Sequence, residues 1–187
     1  MTQAKPLPWT SRDLELLPQS EGIRYEIIDG ELLVTRSPHR KHQQVAGKIY
    51  RALDAWSESS GSGQAIPSPG IIATETDNVI PDVVWVSNER LALIEDEAGH
   101  LNAFPELIVE VLSPGVNNSR RDRQVKRKLY SIHGVIEYWI ADRLTKQLEI
   151  YRRNQGQLVL VTTLICDDPL TSPLLPGFSC PIGRFFL

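Results

Sequence analysis

A carboxylate inside a dense apolar run is the sequence feature that most constrains this chain. Residues 106–112 read Glu-Leu-Ile-Val-Glu-Val-Leu, so Glu110 stands among aliphatic neighbours on both sides. Runs this rich in aliphatic and β-branched residues are typical of strands that are covered on both faces. An unpaired buried charge is strongly destabilising, so Glu110 has to be protonated, paired with a cation or bound to a metal ion.

Length and composition predict a single domain over residues 1–187, with residues 1–9 as a flexible tail, because 41% of 187 residues are hydrophobic. The formal net charge of −3 gives no overall signature of nucleic-acid binding. Cys166 and Cys180 lack metal-site spacing to histidine, which indicates a reduced, cytoplasmic protein. Since no stretch approaches ~20 consecutive apolar residues, we expect no membrane partner.

The order of predicted elements favours an α/β (α+β) fold with a central sheet. Asp29-Gly30 predicts a β-hairpin, and a long helix is expected between Ser37-Pro38 and Gly61. Its buried stripe includes His42, three residues before Val45. The remaining main elements are predicted as strands over 80–86, 106–112, 135–141, 147–151 and 158–164, and a helix over 118–131. That helix would make a parallel crossover between two strands.

The helix over 118–131 carries two neighbouring rows of side chains. The row predicted to be buried consists of Val125, Leu129 and Ile132. Asp122, Lys126 and Tyr130 form a second row beside it, and Lys128 lies on the other flank. Two lysines therefore flank the predicted buried surface.

Asp82 and Glu110 are candidate partners in one site. Asp82 opens the strand over 80–86, and the two carboxylates share a cleft if their strands are neighbours. At ~4 Å they would repel by about 4 kcal/mol at an effective dielectric of 20, and a divalent cation reverses that sign. Mg²⁺ uses one or two carboxylates and leaves positions open for phosphate oxygens. With a nearby lysine this is a minimal site for phosphodiester hydrolysis, and spacing alone leaves Lys126 and Lys128 both open for that role.

The start of the same helix is strongly basic. The basic residues are Arg120, Arg121, Arg123, Lys126, Arg127 and Lys128. On an acidic protein this is a local patch suited to a nucleic-acid backbone. The alternative is a solvated helix face in which Asp122 and Lys126 form an i,i+4 pair.

Taken together, these residues resemble the Uma-two family of putative restriction endonucleases, within the PD-(D/E)XK nuclease superfamily. The resemblance is carried by the segments at 81–82, 110–114, 122–130 and 134–142, extends upstream to 25–31 and His42, and reaches 174–177 downstream. It covers most of the chain from about residue 23. The resemblance implies a restriction-endonuclease-like mixed central sheet flanked by helices, with a Mg²⁺ site on the inner strands.

The resemblance also implies roles for individual residues. Asp82 and Glu110 match the metal-binding acids, but Leu112 stands where the parent motif has lysine, so Lys126 from the helix is the expected catalytic lysine. Further accessory positions are His42, Glu26, Tyr130 and Lys128, with Arg120, Arg121, Arg123 and Arg127 as DNA contacts. For His42 a structural role in the core is also open. Glu26 is either a third acidic group of the site or a charge of the hairpin.

The function expected from this resemblance is that of a Mg²⁺-dependent endonuclease, a hydrolase of phosphodiester bonds in DNA, with Mn²⁺ as a possible substitute. A homodimer is expected by analogy, because paired sites can address two strands. Two other functions remain open. The chain could be a nuclease-like domain that binds nucleic acid or a protein partner without cutting, or a metal-dependent hydrolase of a small substrate.

Overall fold

The computed structural model of the chain describes residues 7–18 and 21–186. The strands are β1 (Ile23–Ile28), β2 (Glu31–Arg36), β3 (Gly63–Pro67), β4 (Ile71–Thr74), β5 (Asp77–Val79), β6 (Val83–Ser87), β7 (Leu107–Val111), β8 (Glu137–Asp142), β9 (Gln147–Asn154), β10 (Gln157–Ile165), β11 (Pro169–Ser172) and β12 (Leu175–Pro181). The helices are α1 (Ser11–Leu14), α2 (Arg40–Ser60), α3 (Asn88–Ile94), α4 (Val116–Arg120) and α5 (Arg127–Ile132), with a π-helical segment, Arg121–Lys126, between α4 and α5 and a 3-10 turn at Ile182–Phe185. The predicted mixture of helices around a central sheet is confirmed.

The central sheet is mixed, with strand order β10-β9-β8-β7-β6-β3. β7 pairs antiparallel with β6 and parallel with β8, so the chain crosses over between β7 and β8 through α4, the π-helical segment and α5. This is the predicted parallel crossover. It places Glu110 on an inner strand, where Ile140 is its partner across the β7–β8 ladder.

Both faces of β7 are covered, as the apolar run predicts. Leu107, Val109 and Val111 pack into one cluster with α2 and the C-terminal strands. Ile108 belongs to a second cluster on the opposite face, beneath α5. Since side chains alternate along a strand, Glu110 shares the face of Ile108 and is only 4% exposed.

A smaller sheet with order β2-β1-β5-β4 carries the predicted hairpin. β1 and β2 pair antiparallel around Asp29-Gly30, whose φ angles of 51° and 75° suit a tight two-residue turn. Of the predicted tail, residues 1–6 lie outside the described residues, and the Trp9 N–H donates a 2.8 Å hydrogen bond to the Gly30 carbonyl. The hairpin brings a strand from the N-terminal part of the chain close to β6 and β7.

Helix α2 begins two residues later than Ser37-Pro38 indicates. The side chain of His39 accepts a hydrogen bond from the Lys41 N–H and caps the helix. Gly61 ends it as predicted, in the left-handed conformation with φ 64°. His42 is 4% exposed and lies on the buried face of α2, and no helix among the described residues is long and apolar enough to cross a membrane.

The predicted apolar stripe of the crossover helix is wrong for Val125 and Ile132, whereas Leu129 is buried as predicted. Val125 and Ile132 are 43% and 68% exposed, whereas Asp122 and Lys126 are each 2% exposed. The π-helical segment explains the difference, because its i→i+5 hydrogen bonds change the angular spacing on which the α-helical pattern relies. The polar row with Tyr130 faces the interior instead, where carboxylates and hydroxyls can satisfy it.

Candidate active site

Strands β6 and β7 bring Asp82 and Glu110 together. Asp82 immediately precedes β6, and Val83 is paired with Val109 across the ladder. Asp82 Oδ2 accepts a 2.8 Å hydrogen bond from the backbone N–H of Val111, the residue that follows Glu110. Two acids 28 positions apart in the chain therefore border one pocket, and both are largely buried.

Lys126 joins the two sheets beneath this pocket. Its Nζ donates to Glu110 Oε1 at 2.8 Å and to Glu26 Oε1 at 3.0 Å. Glu26 lies on β1 and also accepts a hydrogen bond from the Ile80 N–H at 3.0 Å. The Tyr130 hydroxyl donates to Glu110 Oε1 at 2.7 Å, so Glu110 is held by two donors from one helical row. Glu26 is therefore part of the pocket rather than an isolated hairpin charge.

His42 approaches Asp82 from helix α2. The distance from His42 Nε2 to Asp82 Oδ2 is 3.2 Å. His42 Nδ1 is buried and has no hydrogen-bond partner among the described residues. The imidazole therefore helps to hold the Asp82 carboxylate in its orientation while leaving one ring nitrogen unsatisfied.

The protonation of Glu110 is strongly perturbed by its surroundings. Burial raises the pKa of the Glu110 carboxyl to about 8, against the lowering effect of Lys126. The neighbouring carboxylates of Asp82, Asp122 and Glu26 contribute to the same increase. Burial opposes the charge of Lys126, but the same acidic neighbourhood holds its ammonium pKa above the ordinary value. The site thus combines a permanently charged lysine with more carboxylate than that lysine can neutralise.

Asp122 is a pocket residue that the sequence analysis did not include in the site. Its Oδ1 accepts a 3.2 Å hydrogen bond from Arg121 Nε, and burial raises its carboxyl pKa. The Tyr138 hydroxyl donates to the Asp122 backbone carbonyl at 3.1 Å. The spacing of Asp122 and Lys126 was a usable signal, since both belong to the row that faces inward.

The pocket itself has a volume of about 340 Å³ and lies between the β1–β2 hairpin, α2 and the start of the crossover helix. Its acidic side chains are Glu26, Asp82, Glu110 and Asp122. Arg24 and Arg36 of the hairpin also line it, and the sequence analysis missed both. Arg24 could have been found, because it lies two residues before Glu26 on β1 and so shares its face.

The predicted DNA-contacting arginines do not form one surface. Arg121 lines the pocket, whereas Arg123 pairs with Glu149 at 2.6 Å. The Arg127 guanidinium lies 5.4 Å from the centre of the Tyr151 ring. The two remaining basic candidates, Arg120 and Lys128, are exposed and line other cavities, Lys128 at the far side of the hairpin. Of the two candidate lysines, Lys126 is the one beside Asp82 and Glu110.

The donor chemistry of the pocket fits a divalent cation held by few protein ligands. Within residues 7–18 and 21–186, no group of three His, Cys, Asp or Glu side chains is arranged to hold a metal ion. Glu110 Oε2 and Asp82 Oδ1 receive no hydrogen bond from the part of the chain that the structure describes. Mg²⁺ is commonly bound by one or two carboxylates, with water and substrate phosphate as its other ligands. Two free carboxylate oxygens at one pocket suit that mode of binding.

Comparisons with known proteins identify the family and the fold of the chain. No curated protein matches the chain. The fold is similar to that of a crystal structure described as a putative nuclease belonging to DUF820 from Anabaena variabilis ATCC 29413, with a TM-score of 0.73 and 18% identity over 96% of this chain and 98% of that one. The model of the Uma2 family, described as "Putative restriction endonuclease", matches residues 11–183. The chain therefore belongs to the Uma2 family, whose family-level function is that of a nuclease.

Proposed function

We propose that this protein is a metal-dependent endonuclease that hydrolyses phosphodiester bonds in DNA. The observation that carries the proposal is the meeting of Asp82, Glu110 and Lys126 at one pocket, from two strands and a helix that are distant in the chain. Family membership supports a nucleic-acid substrate. The free carboxylate oxygens and the excess of buried acid support a divalent cation.

Asp82 and Glu110 are the proposed metal ligands, with Mg²⁺ as the ion and Mn²⁺ as a substitute. A bound divalent ion lowers the pKa of a coordinated water and stabilises negative charge on phosphate oxygens. The raised pKa of Glu110 supports this assignment, because a nearby dication would stabilise the carboxylate form that burial disfavours. The Val111 N–H and His42 orient Asp82, and such supporting contacts typically contribute 10- to 100-fold in metal affinity.

Lys126 is the proposed catalytic lysine, and its chemistry is electrostatic. Its raised pKa keeps the side chain protonated at neutral pH, so it acts as a fixed positive charge rather than as a base. A preorganised charge in a site largely shielded from water stabilises the anionic transition state of phosphodiester hydrolysis. The Tyr130 hydroxyl holds the Glu110 oxygen that Lys126 also contacts, and it is therefore a positioning group.

A plasmid-cleavage assay with purified protein tests the proposal. We expect nicking or linearisation with Mg²⁺ or Mn²⁺ and none with EDTA. Asp82→Asn and Glu110→Gln should each lower the rate by about 100-fold or more, while Glu58→Gln, on the exposed part of α2, should leave it unchanged. Cleavage at the wild-type rate by either ligand variant would refute the assignment.

A domain that binds nucleic acid without cutting is the second candidate. The observation that favours it is Leu112, which is 5% exposed at the position where the parent motif has lysine. Calorimetric titration with Mg²⁺ separates the two functions. Binding that disappears in Glu110→Gln supports the nuclease, whereas a wild-type protein that takes up no Mg²⁺ supports the non-catalytic domain.

We also propose that two copies pair along β10 to form a homodimer. β10 is the edge strand of the central sheet, carries no charged residue and exposes Val159, Val161 and Ile165 by about half. Long uncharged edge strands readily pair with another strand. Light scattering should give the mass of a dimer for the wild type and of a monomer for Val161→Lys. A monomeric wild type would refute this assembly.

A further inference from the structure

The cations at the mouth of the pocket come mainly from the hairpin rather than from the basic helix. Arg24 on β1 and Arg36 at the end of β2 both line the pocket, and we call this pair the hairpin rim. Across the β1–β2 ladder Arg24 faces Thr35, the neighbour of Arg36. Arg36, the last residue of β2, pairs with Ile23, one step along the ladder from Arg24, and both arginines border the same pocket.

Unlike several other arginines, the two side chains of the hairpin rim have no partner among the residues that the structure describes. Arg123 is bound by Glu149, Arg152 donates to Glu137 Oε1 at 2.8 Å, and Arg90 donates to the Phe104 carbonyl at 2.7 Å. These guanidinium groups are committed to the fold. Within the described ranges, neither side chain of the hairpin rim makes a hydrogen bond or an ion pair. Their planar donor groups remain available for a ligand.

Arg121 adds a third cation from the crossover helix. Its Nε donates to Asp122, but its two terminal nitrogens donate to no other described residue and can bind a second anion. Together with Lys126, the pocket then has four cationic side chains against the four acids Glu26, Asp82, Glu110 and Asp122. A bound divalent cation would add two positive charges to this set, and the pocket would then attract a polyanion.

We propose that the hairpin rim binds backbone phosphates of the DNA that flank the scissile bond, with Arg121 as the contact from the helix. This inference rests on the proposed function, since it places the substrate of the same pocket. Guanidinium groups bind phosphate oxygens through paired hydrogen bonds, and unpaired arginines lose no existing partner when they do so. Two helix cations, the exposed Arg120 and the half-buried Arg127 over Tyr151, contribute little in this arrangement.

The test is the salt dependence of DNA binding. Fluorescence anisotropy of a labelled DNA duplex is measured in the presence of Ca²⁺ at roughly 50 to 300 mM NaCl, a range over which counterion release changes the affinity strongly. Each phosphate contact that is lost makes the fall of log K with log salt concentration less steep by about 0.9. The double variant Arg24→Gln with Arg36→Gln should therefore reduce the steepness by about 1.8. The corresponding double variant with lysine at both positions should keep most of the wild-type steepness.

Matched controls identify which cations act. Arg51→Gln, on the exposed part of α2, and Arg120→Gln with Arg127→Gln should change the slope by less than about 0.5. An unchanged slope in the hairpin-rim variant, or a larger loss in the helix variant, overturns the inference. So does a wild type that binds no DNA.

The same measurements separate this inference from the proposed nuclease function. A wild type that binds with the rim-dependent slope but never cleaves DNA refutes the nuclease and leaves the hairpin rim standing. A wild type that cleaves DNA while the rim variant keeps the full slope refutes the hairpin rim alone. Equal melting temperatures of the variants confirm that the differences arise in binding.

Discussion

Replacing Lys126 with methionine should destabilise the protein by several times the effect of an ordinary surface substitution. Lys126 Nζ lies 2.8 Å from Glu110 Oε1 and 3.0 Å from Glu26 Oε1, inside the protein. At an effective dielectric of 20, each pair is attracted by about 6 kcal/mol before desolvation is counted. Removing one partner of a buried pair typically costs about 3–5 kcal/mol, because the remaining charge is left without compensation.

The loss should depend on pH with a definite sign. The pKa of Glu110 is raised in the folded protein to about 8, whereas an unfolded glutamate ionises near its ordinary value of about 4.3. That value of about 8 already includes the lowering effect of Lys126, so removing Lys126 raises the Glu110 pKa further. Below about pH 8 Glu110 is protonated in the folded state of both proteins, so its contribution to the difference in stability between them is constant. Above about pH 8 the wild type regains a charged Glu110 paired with Lys126 whereas the variant does not, so the destabilisation by Lys126→Met grows as the pH rises.

Urea denaturation at roughly pH 6.5 and pH 9.5, on either side of the Glu110 pKa, measures both effects, and the melting temperature at the higher pH should drop by about 6–20 °C for a protein of this size. Lys128→Met, an exposed position on the same helix, is the matched control and should change stability by no more than about 0.5 kcal/mol. Adding Glu110→Gln to Lys126→Met should restore part of the loss. A loss below about 1 kcal/mol at the higher pH, or an equal loss at both pH values, would refute the electrostatic account.

Two further predictions concern backbone space and thiol reactivity. Gly47→Ala in α2 meets nothing within 4 Å and should stabilise the protein by about 1 kcal/mol through helix propensity, whereas Gly63→Ala places a Cβ 2.3 Å from the Val86 carbonyl and should destabilise it by more than about 2 kcal/mol in urea titrations. Burial raises the pKa of the Cys180 thiol, so at neutral pH Cys180 should react with a disulfide reagent far more slowly than the exposed Cys166. Cys166→Ser should therefore remove the fast phase of that reaction, and an unchanged fast phase would contradict this assignment.

Much of the architecture is readable from local patterns. The apolar run around Glu110 predicts a doubly covered strand, and Asp29-Gly30 predicts the hairpin, because both signals are local and strong. The start of α2 is harder to predict, since Ser37-Pro38 satisfies the usual N-cap rules while His39 forms the cap in the structure. Competition between adjacent capping residues depends on where the helix packs, which the sequence alone does not state.

The spacing of apolar residues did not predict which face of the crossover helix is buried. An ideal α-helix buries Val125 with Leu129, but the π-helical segment turns the polar row inward. What stabilises that choice is the set of acids on other strands, Glu110 and Glu26, which accept from the lysine. The convergence of these side chains depends on strand order. The residue spacing therefore identified the candidates, while only the three-dimensional arrangement separated Lys126 from Lys128.

The shared ammonium of Lys126 has a consequence for how such a chain can change over evolution. The ammonium of Lys126 links β1 of the hairpin to the central sheet and also lies at the proposed reaction centre. Loss of that lysine alone therefore impairs both folding and catalysis. A descendant that abandons cleavage is expected to lose the lysine and a facing acid together, or to keep all of them. If a catalytically inactive relative retains all of these residues, their retention would then reflect selection for stability and not for activity.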